Sequence, residues 1–212
     1  MAVSPAKEKI LKRIRQALSN PVPLPFPESE GTHTVYKSPE EEDLTILFAE
    51  EFTKLQGRFA FCTGTDDLYL QLKTLLTERN WEKVFCAEPI LQAILKSIGY
   101  TVFEDLANCD VSITGCEFLT ARTGSFVLSA AGESGRTASV YAPVHICIAY
   151  TDMVVYDTKD ALAGLTNKYG SSFPSFVTFA GGPSRTADIE KTLVTGVHGP
   201  KEVFCFLTQR SK

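Results

Sequence analysis

RFAFCTGTDDLYLQLKTLLTERNWEKVFCAEPILQAILKSIGYTVFE, residues 58–104, alternates between two hydrophobic periods. Short apolar runs bounded by polar or glycine residues predict buried strands, and the stretches between them place apolar residues at helical spacing. The predicted elements are strands at 58–62, 83–86 and 100–104 and helices at 66–79 and 88–98. Strands that alternate with helices of this length favour parallel pairing, with helices on both faces of the sheet.

The sequence on either side extends this pattern and adds a strand-rich section. Helices are predicted at 40–55, 159–167 and 187–194, and strands at 111–114, 125–130, 139–141, 146–150, 153–156, 176–179 and 202–207. The five strands predicted between residues 111 and 156 follow one another too closely for helices, so hairpin or meander connections are expected there. The predicted fold class is α/β, with a mixed, mostly parallel sheet flanked by helices.

The N-terminal region has a different character. Apolar residues recur at helical spacing over 5–19 among cationic ones, which predicts a short amphipathic helix. PVPLPFP at 21–27 then predicts an extended, polyproline-like arm. This pair of segments is either a partner-docking or subunit-swapping element or a loosely held tail. The predicted domains are residues 1–39, the helix and arm, and residues 40–212.

Composition excludes several functional classes. A chain of 212 residues with 44% hydrophobic and 22% charged residues can bury a core, and its net charge of −4 offers no general attraction for nucleic acid. No apolar run reaches the ~20 residues of a membrane span, and Met1 leads into a cationic stretch without a secretory signal, so a cytoplasmic protein is expected. The six cysteines form no CxxC pair, so neither a metal site nor an iron–sulfur cluster is expected on this chain alone.

FAGGPSRTADIE, residues 179–190, is the most informative local motif. An apolar strand runs into two glycines and then into a predicted helix start, whose free N–H groups and neighbouring guanidinium favour an anion such as a carboxylate or phosphate. The candidate ligand-binding residues of this loop are Gly181, Gly182, Ser184, Arg185, Thr186 and Asp188. The alternative is a tight strand-to-helix turn in which Arg185 pairs with Asp188 or Glu190.

A second candidate segment precedes the strand at 125–130. Arg122, Thr123, Gly124 and Ser125 combine a cation with small hydroxyl residues, which suit a carboxylate or phosphate, although an ordinary turn has the same composition. Glu133 lies in AAGESGR, where a carboxylate nucleophile is conceivable. The surrounding glycines instead predict the tip of a hairpin.

Two histidines are candidate acid–base or interface residues. His145 follows Pro143 and Val144 and opens the strand that begins at Ile146, and His198 lies in GVHGP. Because a helix is predicted between Ser184 and His198, the two are expected at opposite ends of the sheet, about 15 Å apart for ten helical residues. This placement favours a turn or subunit-contact role for His198.

The motif GPSRTADIE at 182–190, followed by LVTGVHGP at 193–200, closely resembles the C-terminal signature of the lactate utilization protein C family, the stand-alone LUD-domain proteins. ARTGS at 121–125 and APVHI at 142–146 are similar to the family's two upstream motifs. The likeness extends over residues 40–208.

The resemblance implies a fold similar to the sugar-phosphate isomerase and CoA-transferase superfamily (NagB/RpiA/CoA transferase-like). It also implies a bacterial role in oxidising L-lactate to pyruvate beside two iron–sulfur partner proteins, with this chain as the cluster-free component. Association of this chain with itself into a homo-oligomer is compatible with that role. Two alternatives stay open: a free-standing enzyme acting on a phosphorylated sugar or an acyl-CoA, and a regulatory or scaffold protein without chemistry. The resemblance supplies no catalytic residue.

Overall fold

The computed structural model describes residues 5–19, 43–189 and 192–210, with the backbone alone described at 187–189 and 192–194. Contacts divide the chain into two units, Met1–Ser38 and Pro39–Lys212. In the first unit the predicted helix is confirmed as α1 (Pro5–Leu18), which has no buried residue. The proline-rich arm at 21–27 lies outside the described residues. Among the described helices none is long and apolar enough to cross a membrane.

The second unit contains strands and helices in alternation. The strands are β1 (Arg58–Cys62), β2 (Val84–Phe85), β3 (Val102–Phe103), β4 (Val111–Thr114), β5 (Phe118–Thr120), β6 (Ser125–Ser129), β7 (Val144–Tyr150), β8 (Val154–Val155), β9 (Val177–Ala180), β10 (Arg185–Ile189), β11 (Thr192–Thr195) and β12 (Glu202–Thr208). The helices are α2 (Leu44–Lys54), α3 (Thr65–Glu78), α4 (Pro89–Ser97), α5 (Ala138–Tyr141) and α6 (Thr158–Tyr169).

Six strands form the main sheet in the order β1-β12-β7-β4-β2-β3, and all of its pairs are parallel. The predicted α/β class is therefore confirmed. One face of the sheet carries Ile113 and Ile146, which pack with Leu72 of α3 and Leu95 of α4. Burying both faces of the sheet explains why its central strands read as nearly continuous apolar runs.

A second sheet of four strands covers the other face of the main sheet. Its order is β8-β5-β6-β9, with antiparallel β5–β6 and β6–β9 pairs and a parallel β5–β8 pair. The side chains of Phe48 and Phe52 on α2 join Phe126 of β6 and Cys205 of β12 in one buried cluster. The far side of the second sheet packs on α6 through Leu165. The second unit is thus layered, with two sheets facing each other, α2 packed into their shared core, and α3, α4 and α6 on the outer faces.

Several predicted elements differ from the structure. The predicted strand at 139–141 is wrong, because this segment forms the helical turn α5, in which the N–H groups of Val140 and Tyr141 donate to the carbonyl oxygen of Thr137. The neighbouring strands β6 and β7 belong to different sheets, so a strand here has no pairing partner. β5 was not predicted, and the strand predicted at 153–156 is the short β8 after a 3-10 turn.

The predicted helix at 187–194 is also wrong, because β10 and β11 form an antiparallel hairpin. Arg185 pairs with Thr195 and Ile189 pairs with Thr192. β-branched side chains are stiff in helices and fit a pleated strand well, and this segment contains several of them. The local pattern of a glycine turn followed by acidic residues therefore gave way to strand pairing.

Candidate functional site

The glycine-rich segment leads into a hairpin, so the predicted strand-to-helix loop is not formed. Its β9 strand lies in the largely antiparallel second sheet, so the rule that ligands bind beyond the carboxyl ends of parallel strands does not apply to it. Gly182 has a φ of +71°, and a Cβ atom there would overlap the carbonyl oxygen of Leu55. A Cβ on Gly181 would lie 2.8 Å from Leu55 Cδ1. Both glycines let the chain approach the end of α2.

The second predicted segment packs against the same helix. Gly124 has a φ of +55°, and a Cβ there would lie 2.5 Å from the backbone nitrogen of Phe52. The guanidinium of Arg122 donates to Asp157 Oδ1 at 2.8 Å, and the hydroxyls of Thr120 and Thr123 lie 2.7 Å apart. These contacts tie the segment to the start of α6 and to its own turn.

The structure therefore brings the two predicted segments together, around the C-terminal end of α2. A Cβ on Gly181 would lie 3.1 Å from Ser125 Oγ, and Arg185 Nη2 donates to the carbonyl oxygen of Leu55 at 3.2 Å. This carbonyl oxygen belongs to the last turn of α2, where intrahelical donors run out. A structural role in holding α2 accounts for these contacts. Binding of an anion by Thr186 or Asp188 stays a prediction.

His198 lies in the same cleft as Ser184, so their predicted separation is wrong. Ser184 N–H donates to Pro200 O, and Gly196 N–H donates to Ser184 O, each at 2.9 Å. These bonds fold residues 196–200 back onto the end of β9, which a helix between the two segments would have prevented. The resulting space, here called the glycine cleft, has a volume of about 280 Å³ and is lined by Gly181, Gly182, Ser184, His198 and Gly199 among others.

His145 forms part of the wall of the glycine cleft. Burial lowers the pKa of its imidazole from 6.5 to about 4, so the ring is neutral at physiological pH. Thr114 Oγ1 lies 2.8 Å from His145 Nε2 and donates to the carbonyl oxygen of Gly115 at 2.9 Å. A hydroxyl has one proton to donate, so the ring nitrogen donates to Thr114. A buried neutral imidazole of this kind holds two strands in register.

A larger space of about 370 Å³ opens beyond the carboxyl ends of β2 and β4. This space, here called the acidic cleft, is lined by Glu88, Glu117, Glu133, Ser134 and Lys168 among others. Neighbouring parallel strands deliver their following loops to one edge of a sheet, which is where open α/β sheets bind ligands. Ser139 lines both clefts, and Thr114 of the buried pair faces the acidic one.

Glu88 is fixed in the acidic cleft by donors from two distant loops. Its Oε1 accepts the N–H of Gly115 at 2.9 Å and the hydroxyl of Ser134 at 2.6 Å. A Cβ on Gly115 would lie 2.8 Å from Glu88 Oε2, so a side chain at this position would displace the Glu88 carboxylate. Glu88 is also the N-cap residue of α4 and precedes Pro89, the first residue of that helix.

Glu117 is the most completely bonded carboxylate of the acidic cleft. Its Oε1 accepts the hydroxyls of Ser129 at 2.6 Å and Tyr169 at 2.7 Å, and its Oε2 accepts Lys168 Nζ at 2.7 Å. Burial alone would raise the pKa of Glu117, but these hydrogen bonds and the charge of Lys168 together lower it. Glu117 therefore stays ionised and ties β5, β6 and α6 together.

The acidic cleft went unrecognised in the sequence because its residues come from separate loops. A usable signal existed: Glu88 follows the strand predicted at 83–86, and Glu117 follows the strand predicted at 111–114. Two adjacent parallel strands would place both carboxylates at one edge. Glu133, interpreted from sequence as part of a hairpin tip, lies exposed at the rim. Within the described residues no group of three His, Cys, Asp or Glu side chains is arranged to hold a metal ion.

The model of the LUD domain family matches residues 75–208, more than half of the chain. Lactate utilization protein C of Exiguobacterium sp. is 29% identical to this chain over 215 residues, covering 93% of each protein. An uncharacterized protein of Neisseria meningitidis serogroup B is 34% identical over 116 residues, or 55% of this chain and 48% of that protein. Lactate utilization protein C of Geobacillus thermodenitrificans is 34% identical over 117 residues, or 54% and 49%.

Apart from the Exiguobacterium protein, the chain spans about half the length of these curated relatives. Among solved structures, the crystal structure of a DUF162 family protein from Deinococcus radiodurans superposes with a TM-score of 0.60 at 19% identity. The superposition covers 78% of this chain and 96% of the Deinococcus chain, and it shows a common fold. Because the family model matches most of the folded unit, from within α3 to the end of β12, the chain belongs to the LUD domain family.

Proposed function

We propose that the chain is a component of a bacterial L-lactate utilization system. In this proposal it works with two iron–sulfur partner proteins that carry the clusters, while L-lactate is oxidised to pyruvate. The observation that supports it most is the similarity to lactate utilization protein C of Exiguobacterium sp. across 93% of both chains. A relation that extends over whole chains concerns more than a shared domain, because it includes the segments outside the LUD match.

The glycine cleft is the proposed anion site of this chain. None of the described residues that line it is an aspartate or a glutamate, whereas the acidic cleft holds three glutamates. A carboxylate in the glycine cleft therefore meets hydrogen-bond donors, such as the imidazole of His198 and the hydroxyl of Ser184, without facing like charge. The glycine cleft, with a volume of about 280 Å³, is large enough for a three-carbon hydroxy acid together with bound water.

The test of the cellular role is complementation. In a host whose own lactate utilization protein C gene is deleted, expression of this chain should restore growth on L-lactate and leave growth on glucose unchanged. A tagged chain recovered from these cells should carry two cysteine-rich partners and absorb near 400 nm, as thiolate-bound clusters do. Failure to restore growth, with the chain expressed and folded, would refute the role.

The test of the anion site is binding of L-lactate to the purified chain by calorimetry. Removing one hydrogen bond to a charged group costs about 1.5–3 kcal/mol, so His198→Ala should weaken binding of the lactate carboxylate roughly 10- to 150-fold. Thr195→Ala removes an exposed hydroxyl from β11, close to His198 in the sequence, and serves as the matched control. Equal affinities of the two variants would exclude the glycine cleft. If only Arg185→Ala loses L-lactate binding, the anion binds on the surface of the β10–β11 hairpin and not in the glycine cleft.

Glu88 favours a second candidate function, acyl transfer from an acyl-CoA. A carboxylate held by a backbone N–H and a hydroxyl at the carboxyl edge of the sheet can attack a thioester, forming a mixed anhydride as the CoA thiolate leaves. Incubation with acetyl-CoA should then add one acetyl group to the chain by intact mass spectrometry. Glu88→Gln should lose the adduct and Glu133→Gln should keep it; an unmodified wild-type chain would eliminate this candidate.

A further inference from the structure

The N-terminal helix α1 exposes an apolar stripe to solvent. Ile10, Ile14 and Leu18 recur every four residues, which places them on one side of the helix. Their exposed fractions are 59%, 48% and 73%, and none of the residues of α1 is buried. A contiguous exposed aliphatic stripe that is bordered by polar residues is typical of an interaction surface.

The rest of the α1 surface is strongly cationic. Its sequence PAKEKILKRIRQAL contains five lysine and arginine residues against a single glutamate, in a chain whose net charge is −4. At roughly 100° per residue, Arg13 and Arg15 lie on opposite flanks of Ile14, so guanidinium groups border the stripe on both sides. Lys9 and Lys12 lie on the side away from it. Positive charge therefore surrounds the apolar face almost completely.

We propose that α1 lies on the surface of an anionic lipid bilayer, with its aliphatic stripe among the acyl chains and its cations among the headgroups. A helix with a narrow apolar face, low overall hydrophobicity and bordering cations has the properties of an interfacial helix. The long side chains of Arg13 and Arg15 can extend to the headgroups from such a position. The inference does not depend on the role in lactate utilization.

The composition of the stripe favours a lipid surface over a protein groove. Binding hot spots of protein interfaces are enriched in tryptophan and tyrosine, and α1 contains no aromatic residue. A groove also offers a few carboxylates at fixed points, whereas the cations of α1 are spread around its axis. A diffuse negative surface of anionic headgroups matches that distribution.

Cosedimentation of the full-length chain with vesicles tests the proposal. Binding should be at least about tenfold stronger to phosphatidylglycerol–phosphatidylcholine vesicles than to phosphatidylcholine alone, and should weaken as salt rises from 0.05 to 0.5 M. Arg13→Glu combined with Arg15→Glu should reduce binding to anionic vesicles about tenfold or more. Lys73→Glu combined with Lys96→Glu reverses two exposed charges of the second unit and should bind almost as the wild type does.

A second matched pair of variants tests how much the apolar stripe contributes to vesicle binding. Ile14→Ser should weaken vesicle binding several-fold, and Ile46→Ser, at a residue that is 60% exposed on α2, should not. Equal melting temperatures would show that each variant is folded. Equal binding to anionic and neutral vesicles would overturn the proposal, and so would unchanged binding after the Arg13 and Arg15 charge reversals. So would lipid-independent dimerisation abolished by Ile14→Ser, which would assign the stripe to a second copy of the chain.

Discussion

Replacement of Gly182 by alanine tests whether this glycine serves the packing of α2. Gly182 has a φ of +71°, a region in which an L-residue costs about 1–2 kcal/mol. A Cβ there also overlaps the carbonyl oxygen of Leu55, and its carbonyl carbon would lie 3.2 Å away. These are backbone atoms at the end of a helix, so they cannot rotate aside, and forced overpacking adds about 1–3 kcal/mol.

The structure offers a control that separates the two costs. Gly135 has a φ of +61°, but a Cβ there would meet nothing within 4 Å. Gly135→Ala should therefore cost only the conformational part, about 1–2 kcal/mol, whereas Gly182→Ala should cost about 2–5 kcal/mol in total. At roughly 2–4 °C per kcal/mol for a protein of this size, Gly182→Ala should lower the melting temperature by about 4–20 °C and Gly135→Ala by about 2–8 °C.

Thermal and urea unfolding monitored by circular dichroism would measure both variants. The informative quantity is the difference between them, because the cost of a positive φ largely cancels. If Gly182→Ala unfolds at the same temperature as Gly135→Ala, the close approach to Leu55 is not what requires glycine. A normal melting temperature together with lost L-lactate binding would instead assign Gly182 to ligand contact.

Two further predictions concern stability. Burial holds the pKa of His145 near 4 against an ordinary 6.5, so the unfolded chain takes up the proton first as pH falls. The free energy of unfolding of the wild type should therefore drop by up to about 3 kcal/mol between pH 6.5 and pH 4. In urea unfolding, His145→Phe should show a shallower decline over the same pH range. Asp157→Ala removes bonds from Arg122 and from the backbone of Thr158, and should cost about 2–4 kcal/mol, while Asp160→Ala should cost under about 1 kcal/mol. Similar melting curves for the two aspartate variants would contradict the assigned role of Asp157.

Local sequence predicted the elements whose pattern agrees with their surroundings. The run from 58 to 104 gave the correct alternation because each of its strands contributes apolar residues to the core and each helix turns one apolar side inward. α1 was predicted from the helical spacing of its own apolar residues. The hairpin β10–β11 was missed, since glycine followed by acidic residues is typical of a helix start, and strand pairing overrode it.

The functional residues divide along the same line. Gly181, Gly182 and His198 could be selected from the sequence because they lie within one continuous motif. The sequence could not show whether the glycines approach a ligand or a helix, because Leu55 is more than a hundred positions away along the chain. Glu88 meets Gly115 and Ser134 only through parallel pairing of β2 with β4 and a returning loop. Neighbours along the chain were enough to predict the α/β class, the cationic α1 and the family motif. The two clefts depend on contacts between distant segments, so they became visible only once the chain was folded.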